Sequence, residues 1–439
     1  MFGGERSLSS LNSSSQFRSS PPTDKGEGVF ARLRVTTRAL KHRNFRLFLT
    51  GQLLSVIGTW VQSVAQSWLV YKLTGSTVML GLVGFASQIP YLFSPIGGVL
   101  ADRFNRRKLL ILTQALMAAQ AVVLAWLTLS GRVEEWTVFY LALSLGIIGL
   151  FELTARQSFI VEMVGKEDLM NAIALNSSMY NLGRVIGPSV AGILLASIGE
   201  GWCFAVNAVS FIAVIIGLLM MRLPPAPART DHSSPVAQLR EGARYVLQSK
   251  PTRALLINLG VLSVFNYPAM VLMPVFADRL LGGGPTTLGY LLTSFGAGAM
   301  VGALMMASRI DLSGISRRIV RSTIIYSVAL LGFAFVSWLP LACLLVAITG
   351  GGIMTQIAST NTALQSITPD HLRGRVVGYY GMMFLGMVPI GSLLAGWLGD
   401  WIGVRWTVAR SAAACLLAAL IFDRRRSVVV DAVRQLSRA

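Results

Sequence analysis

Twelve apolar stretches recur along this chain, each near the roughly 20 residues that a helix needs to cross a bilayer. They lie near 46–71, 78–101, 108–130, 136–155, 173–198 and 202–221, then near 254–281, 287–308, 318–337, 341–362, 375–399 and 406–422. Lipid offers no partner for backbone N–H and C=O groups, so long unbroken apolar runs of this kind must close their hydrogen bonds internally as helices. The expected fold is an all-α polytopic membrane protein, with twelve transmembrane helices in two six-helix halves, 45–221 and 251–423. Composition agrees: 54% of the residues are hydrophobic and 13% are charged, against about 25% charged in a soluble domain.

The remaining segments read as tails and a linker. Residues 1–28 are rich in Ser and Gly and hold no apolar run. The segment 1–44 is therefore expected to be a cytoplasmic tail, largely disordered, and not a signal peptide. Pro224, Pro225 and Pro227 mark a cytoplasmic linker over 222–250, where Ala237–Tyr245 suggests an amphipathic surface helix. Residues 424–439 form a basic tail.

The net charge of +19 would suit nucleic acid, but its cations sit in short loops and tails between apolar runs. That pattern sets membrane topology and predicts no nucleic-acid partner. Thirty Lys and Arg residues fall in loops and tails on the side of the termini. The loops of the opposite side carry only Lys72, Arg132, Arg279 and Arg405. By the positive-inside rule both termini face the cytoplasm of a cell membrane. Cys203, Cys343 and Cys415 lie in apolar segments, and His42, His232 and His371 are scattered. No disulfide framework, metal-ligand spacing or cofactor motif follows. No Ser/His or paired-carboxylate arrangement points to an enzyme, and no phosphate-binding loop points to ATP as an energy source.

The two halves repeat each other weakly. Gly98-Val99-Leu100 matches Gly302-Ala303-Leu304, and Ala191-Gly192 matches Ala395-Gly396, both at an offset of 204. Leu80-Gly81 matches Leu288-Gly289 at an offset of 208. A parallel repeat of six-helix units predicts a secondary transporter with its site between the halves.

Several polar residues fall inside these spans. Gln52, Ser55, Thr59, Gln62, Ser63 and Gln66 occupy an arc of about 100° on the first span. Facing lipid would be costly, so they either line a water-filled substrate cavity or bond between helices; the cavity is the favoured reading. Arg184 lies near mid-depth in the fifth span with Ser177 and Asn181 on its face. Such an Arg must face the interior and find partners; it either binds an anionic group or bonds structurally. Glu152 is the carboxylate well inside the first half. It is a proton-carrier candidate if burial raises its pKa, or else an ion-pair partner of Arg156. In the second half Asn258, Asn266, Thr355, Gln356 and Ser359 are candidates for polar cavity contacts, although each taken alone reads better as a helix–helix hydrogen bond. Asp278 and Asp400 fall near span ends and are read as solvated.

The loop Gly98-Val99-Leu100-Ala101-Asp102-Arg103-Phe104-Asn105-Arg106-Arg107 resembles the signature of the major facilitator superfamily. Gly98, Leu100, Ala101, Asp102, Arg103, Arg106 and Arg107 match its Gly-x-Leu-Ala-Asp-Arg-x-Gly-Arg-Arg pattern, and Asn105 replaces a Gly. The resemblance implies a latch in which Asp102 holds the other half near the start of the eleventh span. Met306 stands at Asp102's repeat position. The stretch Gly183-Arg184-Val185-Ile186-Gly187-Pro188-Ser189-Val190-Ala191-Gly192 resembles the antiporter motif of drug exporters, with Gly183, Gly187, Pro188 and Gly192 matching and Ala191 replacing a Gly. Asn44–Leu49, Tyr71–Ser76 and Pro95–Gly98 are similar to the enterobactin-exporter and macrolide-efflux branch.

The resemblance implies export of a small, largely apolar molecule coupled to proton influx, by a monomer. A facilitator or lipid/siderophore exporter without proton coupling is the alternative within transport; a non-transporting sensor or scaffold is the alternative outside it.

Overall fold

The computed structural model describes residues 38–93, 104–165, 167–222, 235–307 and 314–436. Among the described residues the regular structure is helical, with no strand. The first helix, α1 (Arg43–Thr74), stops at Gly75, whose φ of 60° turns the chain out of the helix. The Ser76 hydroxyl accepts the Met79 N–H and starts α2 (Thr77–Gln88), which continues as a 3-10 turn, Ile89–Phe93. The rest of the predicted second span lies outside the described residues. Asn105 caps α3 (Arg106–Leu129) by accepting the Lys108 N–H. α4 (Glu135–Val164) runs well past the predicted end at 155.

α5 (Leu169–Leu219) holds both the fifth and sixth predicted spans. Gly199, at φ 79° and ψ 176°, breaks it. Both arms pack on α1: Gly183 and Gly187 meet Val56 and Trp60 from the first arm, and Gly51 meets Val214 from the second. The chain therefore reverses at Gly199.

An amphipathic linker helix, α6 (Pro235–Gln248), precedes α7 (Lys250–Val271). α7 extends through Met273–Val275 and a π turn, Phe276–Leu280. α8 (Gly284–Ala307), α9 (Ile315–Phe335) and α10 (Leu339–Ile367) follow. The eleventh predicted span is two pieces, α11 (Asp370–Leu385) and α12 (Val388–Trp401), and Pro389 at the start of α12 has no N–H to continue the ladder. α13 (Val404–Leu436) keeps the helix going through most of the segment expected to be a tail. Among the described residues ten helices are long and apolar enough to cross a membrane, and Thr77–Phe93 is a shorter apolar one. With α5 crossing twice, this is consistent with twelve passes. Trp397 and Trp401 stack at 5.6 Å on an exposed face near the end of α12, where interfacial aromatics anchor.

The packing core decides the shape. At the end away from the termini, here called distal, Trp68, Tyr71 and Leu80 of the first half share one apolar cluster with Leu272, Phe276 and Phe333 of the second. Toward the termini the core is double. Phe45, Phe48, Leu110, Phe159 and Leu218 pack within the first half, and Leu255, Ile319, Leu364, Val376 and Phe422 within the second.

The repeated glycines make the distal junction. A Cβ on Gly192 would stand 2.8 Å from the Gly289 Cα, and one on Gly81 would stand 2.8 Å from the Gly396 Cα. Gly81 repeats as Gly289 and Gly192 as Gly396, so the two crossings are related by the pseudo-symmetry of the halves. Only residues without side chains let backbones meet this closely.

Candidate functional site

Polar contacts between the halves cluster at the distal end. Tyr71 Oη donates to Asp278 Oδ2 at 2.7 Å, and Arg279 Nη2 donates to the Gly75 carbonyl at 3.3 Å. Thr77 Oγ1 donates to the Gly396 carbonyl at 3.0 Å, and Ser189 and Thr293 hydroxyls bond at 2.7 Å. Asp278 is thus part of a bridge between halves and not merely solvated, because the π turn after α7 carries it over Tyr71. Asp400 is exposed as expected. On the other side of this closure the halves part. A Cβ added to Gly378 or Gly381 of α11 would meet nothing within 4 Å.

The wall of this space on the first half is charged. A cavity of about 320 Å³ is lined by Arg156, Gln157 and Ile160 of α4 and by Asn176, Ser177, Tyr180 and Asn181 of α5. Arg156 Nε lies 3.3 Å from Glu152 Oε1, one turn away on α4. Its guanidinium sits over the Tyr180 ring at 4.4 Å. Arg156 Nη1 and Asn176 Oδ1 are buried and have no hydrogen-bond partner among the described residues. Ser177, Asn181 and Arg184 form one stripe at helical spacing. Gly296 of α8 packs on the Arg184 carbonyl, so Arg184 stands where the two halves converge. Sequence reasoning had reached Glu152, Arg184 and Asn181. It missed Tyr180, Asn176 and Gln157, although Tyr180 and Asn176 lie one and two helical turns before Arg184 and Gln157 is the neighbour of Arg156.

The structure moves most of the α1 polar face away from a cavity wall. Gln62 is 1% exposed. Its Nε2 donates to Gln120 Oε1 at 3.0 Å, and its Oε1 accepts from Asn207 Nδ2 at 2.7 Å. Gln62 therefore joins three helices of one half. Gln52, Ser55 and Gln66 are likewise buried. Thr59 is exposed and donates to the Ser55 carbonyl. A polar arc on one helix satisfies lipid exclusion equally well by bonding to neighbours, as Gln62 does, while the buried Gln52 Nε2 has no partner among the described residues.

In the second half the candidates divide. Asn266 donates to the Tyr326 hydroxyl at 3.2 Å and accepts from the Cys415 thiol at 3.3 Å. Gln356, 1% exposed, donates to Thr360 Oγ1 on its own helix. Asn258 is buried, with its Nδ2 unpartnered among the described residues.

The motif residues in α5 are packing residues. Gly183 and Gly187 admit Val56 and Trp60, while Gly192 meets the second half. Pro188 is buried inside the helix. Of the latch residues, Gly98, Asp102 and Arg103 lie outside the described residues. Arg106 donates to the Ser158 carbonyl and to Glu162 Oε1 at 2.6 Å, and Arg107 donates to the Leu218 and Leu219 carbonyls. Both arginines are anchored inside the first half, Arg107 at a helix C-terminus where a cation is favoured. Met306, at Asp102's repeat position, takes hydrogen bonds on sulfur from Arg318 and Ser359.

A second charged cluster lies at the terminal end. Asp168, whose side chain is 3% exposed, accepts from His42 at 2.7 Å and Lys41 at 2.9 Å through Oδ2, and its Oδ1 forms an ion pair with Arg38 Nε at 2.9 Å. The hydrogen bond from His42, followed by that from Lys41, holds the Asp168 carboxyl below the usual carboxylate range. This clamp fixes the entry into α1 against the start of α5.

Residues 35–439 match the family described as transmembrane secretion effector. The chain is 30% identical to the multidrug efflux pump Tap of Mycolicibacterium fortuitum over 82% of its length and 90% of the pump's. It is 24% identical to the staphyloferrin A transporter of Staphylococcus aureus, covering 86% of this chain and 95% of that one. It is 27% identical to the enterobactin exporter EntS of Shigella boydii, covering 82% and 86%. Among solved structures, the nucleoside transporter NupG superposes with a TM-score of 0.71 at 14% identity, over 87% of this chain and 98% of that one. A bacterial homologue of the lysosomal transporter Spinster, in an inward-facing unoccupied conformation, superposes with a TM-score of 0.64 at 15% identity, over 90% and 98%.

Proposed function

Because this chain belongs to the transmembrane secretion effector family of the major facilitator superfamily, we propose that it carries a small, largely apolar molecule out of the cytoplasm by alternating access, coupled to proton influx. It is a multi-pass membrane transporter and not an enzyme. The observation that carries the reading is the core, single at the distal end and divided into two toward the termini. Two rigid bodies joined at one end can rock about that junction, exposing the space between them to one side at a time.

The relatives support export of small molecules: a multidrug efflux pump, a staphyloferrin A transporter and an enterobactin exporter. The excess of Lys and Arg on the terminal side supports a cytoplasmic position for that side of the plasma-membrane protein. The open space then faces inward. Both walls come from one chain, so a monomer suffices.

Glu152 is the proposed proton carrier. It is a carboxylate only 12% exposed, whose charge is balanced by Arg156 at 3.3 Å. Protonation from outside would cancel that pair and change the charge of the wall, which is the kind of event that biases a two-state element. The same pair is also the observation favouring the second reading, uncoupled export, in which Glu152 stays ionised throughout.

Inverted membrane vesicles decide between them. With ethidium as the probe, an imposed gradient acid inside is expected to drive dye accumulation above that of vesicles lacking the protein, and nigericin is expected to abolish it. Accumulation that ignores the gradient would support the uncoupled reading; no accumulation beyond the control would count against export of this probe class.

A further inference from the structure

Resting on the transport reading above, we infer that the cargo carries one anionic group, carboxylate-like in chemistry, bound by Arg184 at the closed end of the cavity. The argument is one of charge balance. On α4, Glu135 stands at the distal start and Glu162 is taken by Arg106, so the charges left within the wall of α4 and the first arm of α5 are Glu152, Arg156 and Arg184. Glu152 and Arg156 neutralise one another. Arg184 makes no hydrogen bond or ion pair to any described residue, although it sits half-buried near the middle of a membrane span. A lone guanidinium at that depth is costly unless an acceptor meets it.

The surroundings supply donors and amides in place of a second carboxylate. Asn181 and Ser177 precede Arg184 on its own face. The adjoining cavity is lined by Arg156, Gln157, Asn176 and Tyr180 among others, with no Asp or Glu. Buried Arg156 Nη1 adds a further unused donor beside the same space. A planar guanidinium binds a carboxylate through two parallel hydrogen bonds, and does so best away from water. Position fits the role as well. Gly296 of the second half packs on the Arg184 backbone, so an anion held there touches the point where the halves converge.

The test uses a matched pair of fluorescent probes, dansylglycine and its neutral amide, titrated into the purified protein in lipid nanodiscs. The acid is expected to bind at least about tenfold more tightly than the amide, the worth of a charge-assisted hydrogen bond. Arg184→Gln is expected to abolish that preference, and Arg184→Lys to keep part of it. Equal binding of acid and amide by the unmodified protein, or binding of neither, would overturn the inference without recourse to a variant. A preference that survives in Arg184→Gln would overturn it too. Proton-driven uptake by the same protein reconstituted into sealed proteoliposomes keeps the two readings apart: transport of the neutral amide as readily as the acid removes the anion site and leaves the transporter.

Discussion

Tyr71 and Asp278 lie 207 residues apart in sequence and share a 2.7 Å hydrogen bond that ties the first half to the second. Arg279 covers the same tyrosine ring at 5.6 Å and reaches the Gly75 carbonyl, closing a small polar knot over the shared apolar core. For the distal end to open, this knot must come apart. Tyr71→Phe removes the donor and leaves the ring. A hydrogen bond to a charged group contributes about 1.5–3 kcal/mol, so the distal-open population is expected to rise several-fold or more. A single cysteine introduced by Thr293→Cys, with Cys203, Cys343 and Cys415 replaced by Ala, should react faster with a membrane-impermeant maleimide in Tyr71→Phe. Adding Asp278→Asn should produce little further change, since both substitutions break one bond.

The glycine crossings should be intolerant of side chains. A Cβ on Gly192 falls 2.8 Å from the Gly289 Cα, so Gly192→Leu must push the halves apart. Dye transport is expected to fall more than about tenfold with normal membrane insertion. Gly374→Ala, where an added Cβ meets open space, should leave transport near its starting rate.

Gln62 separates a structural role from a cavity role. Gln62→Ala leaves Gln120 and Asn207 each short of a bond inside the first half. Unmet buried polar groups cost about 1–3 kcal/mol, so a lower thermal unfolding midpoint in detergent is expected, with unchanged probe affinity. A loss of affinity at constant midpoint would instead restore Gln62 to the cavity.

The Asp168 clamp carries a definite pH dependence. Asp168 faces Arg38, Lys41 and His42, with Glu167 beside it near Arg38. Its pKa is lowered in the folded state, so its contribution to stability is fully present above the ordinary carboxylate value of about 4 and is lost as pH falls through the lower folded value. The Asp168 carboxylate itself therefore stays ionised from pH 7 to pH 5, and hydrogen exchange over residues 38–46 should depend on it at both pH values. Asp168→Asn should lose protection at pH 7.

Much of this architecture was legible because lipid leaves few options. Long apolar runs forced helices, and the matched glycines in the two halves turned out to face one another in pairs, Gly81 with Gly396 and Gly192 with Gly289. The polar face of α1 was ambiguous for a physical reason: periodicity locates Gln62 on an inward face but cannot say whether water or Gln120 awaits it. Tyr71–Asp278 was illegible, since nothing local in either segment encodes a partner across the halves. Arg156 was visible only as the i+4 neighbour of Glu152. Its stacking on Tyr180 depends on how α4 and α5 pack.

The rocking of two halves about a distal junction is tested most directly by paired spin-label distances. One pair, Ala174→Cys with Gly378→Cys, spans the parted terminal end; the other, Leu73→Cys with Asp400→Cys, spans the distal end. Measured in nanodiscs at pH 7.5 and at pH 5.5, the first distance is expected to shorten in a growing fraction of molecules while the second lengthens in the same fraction. Distances that stay fixed at both ends, or that change in the same direction, would contradict proton-driven alternating access.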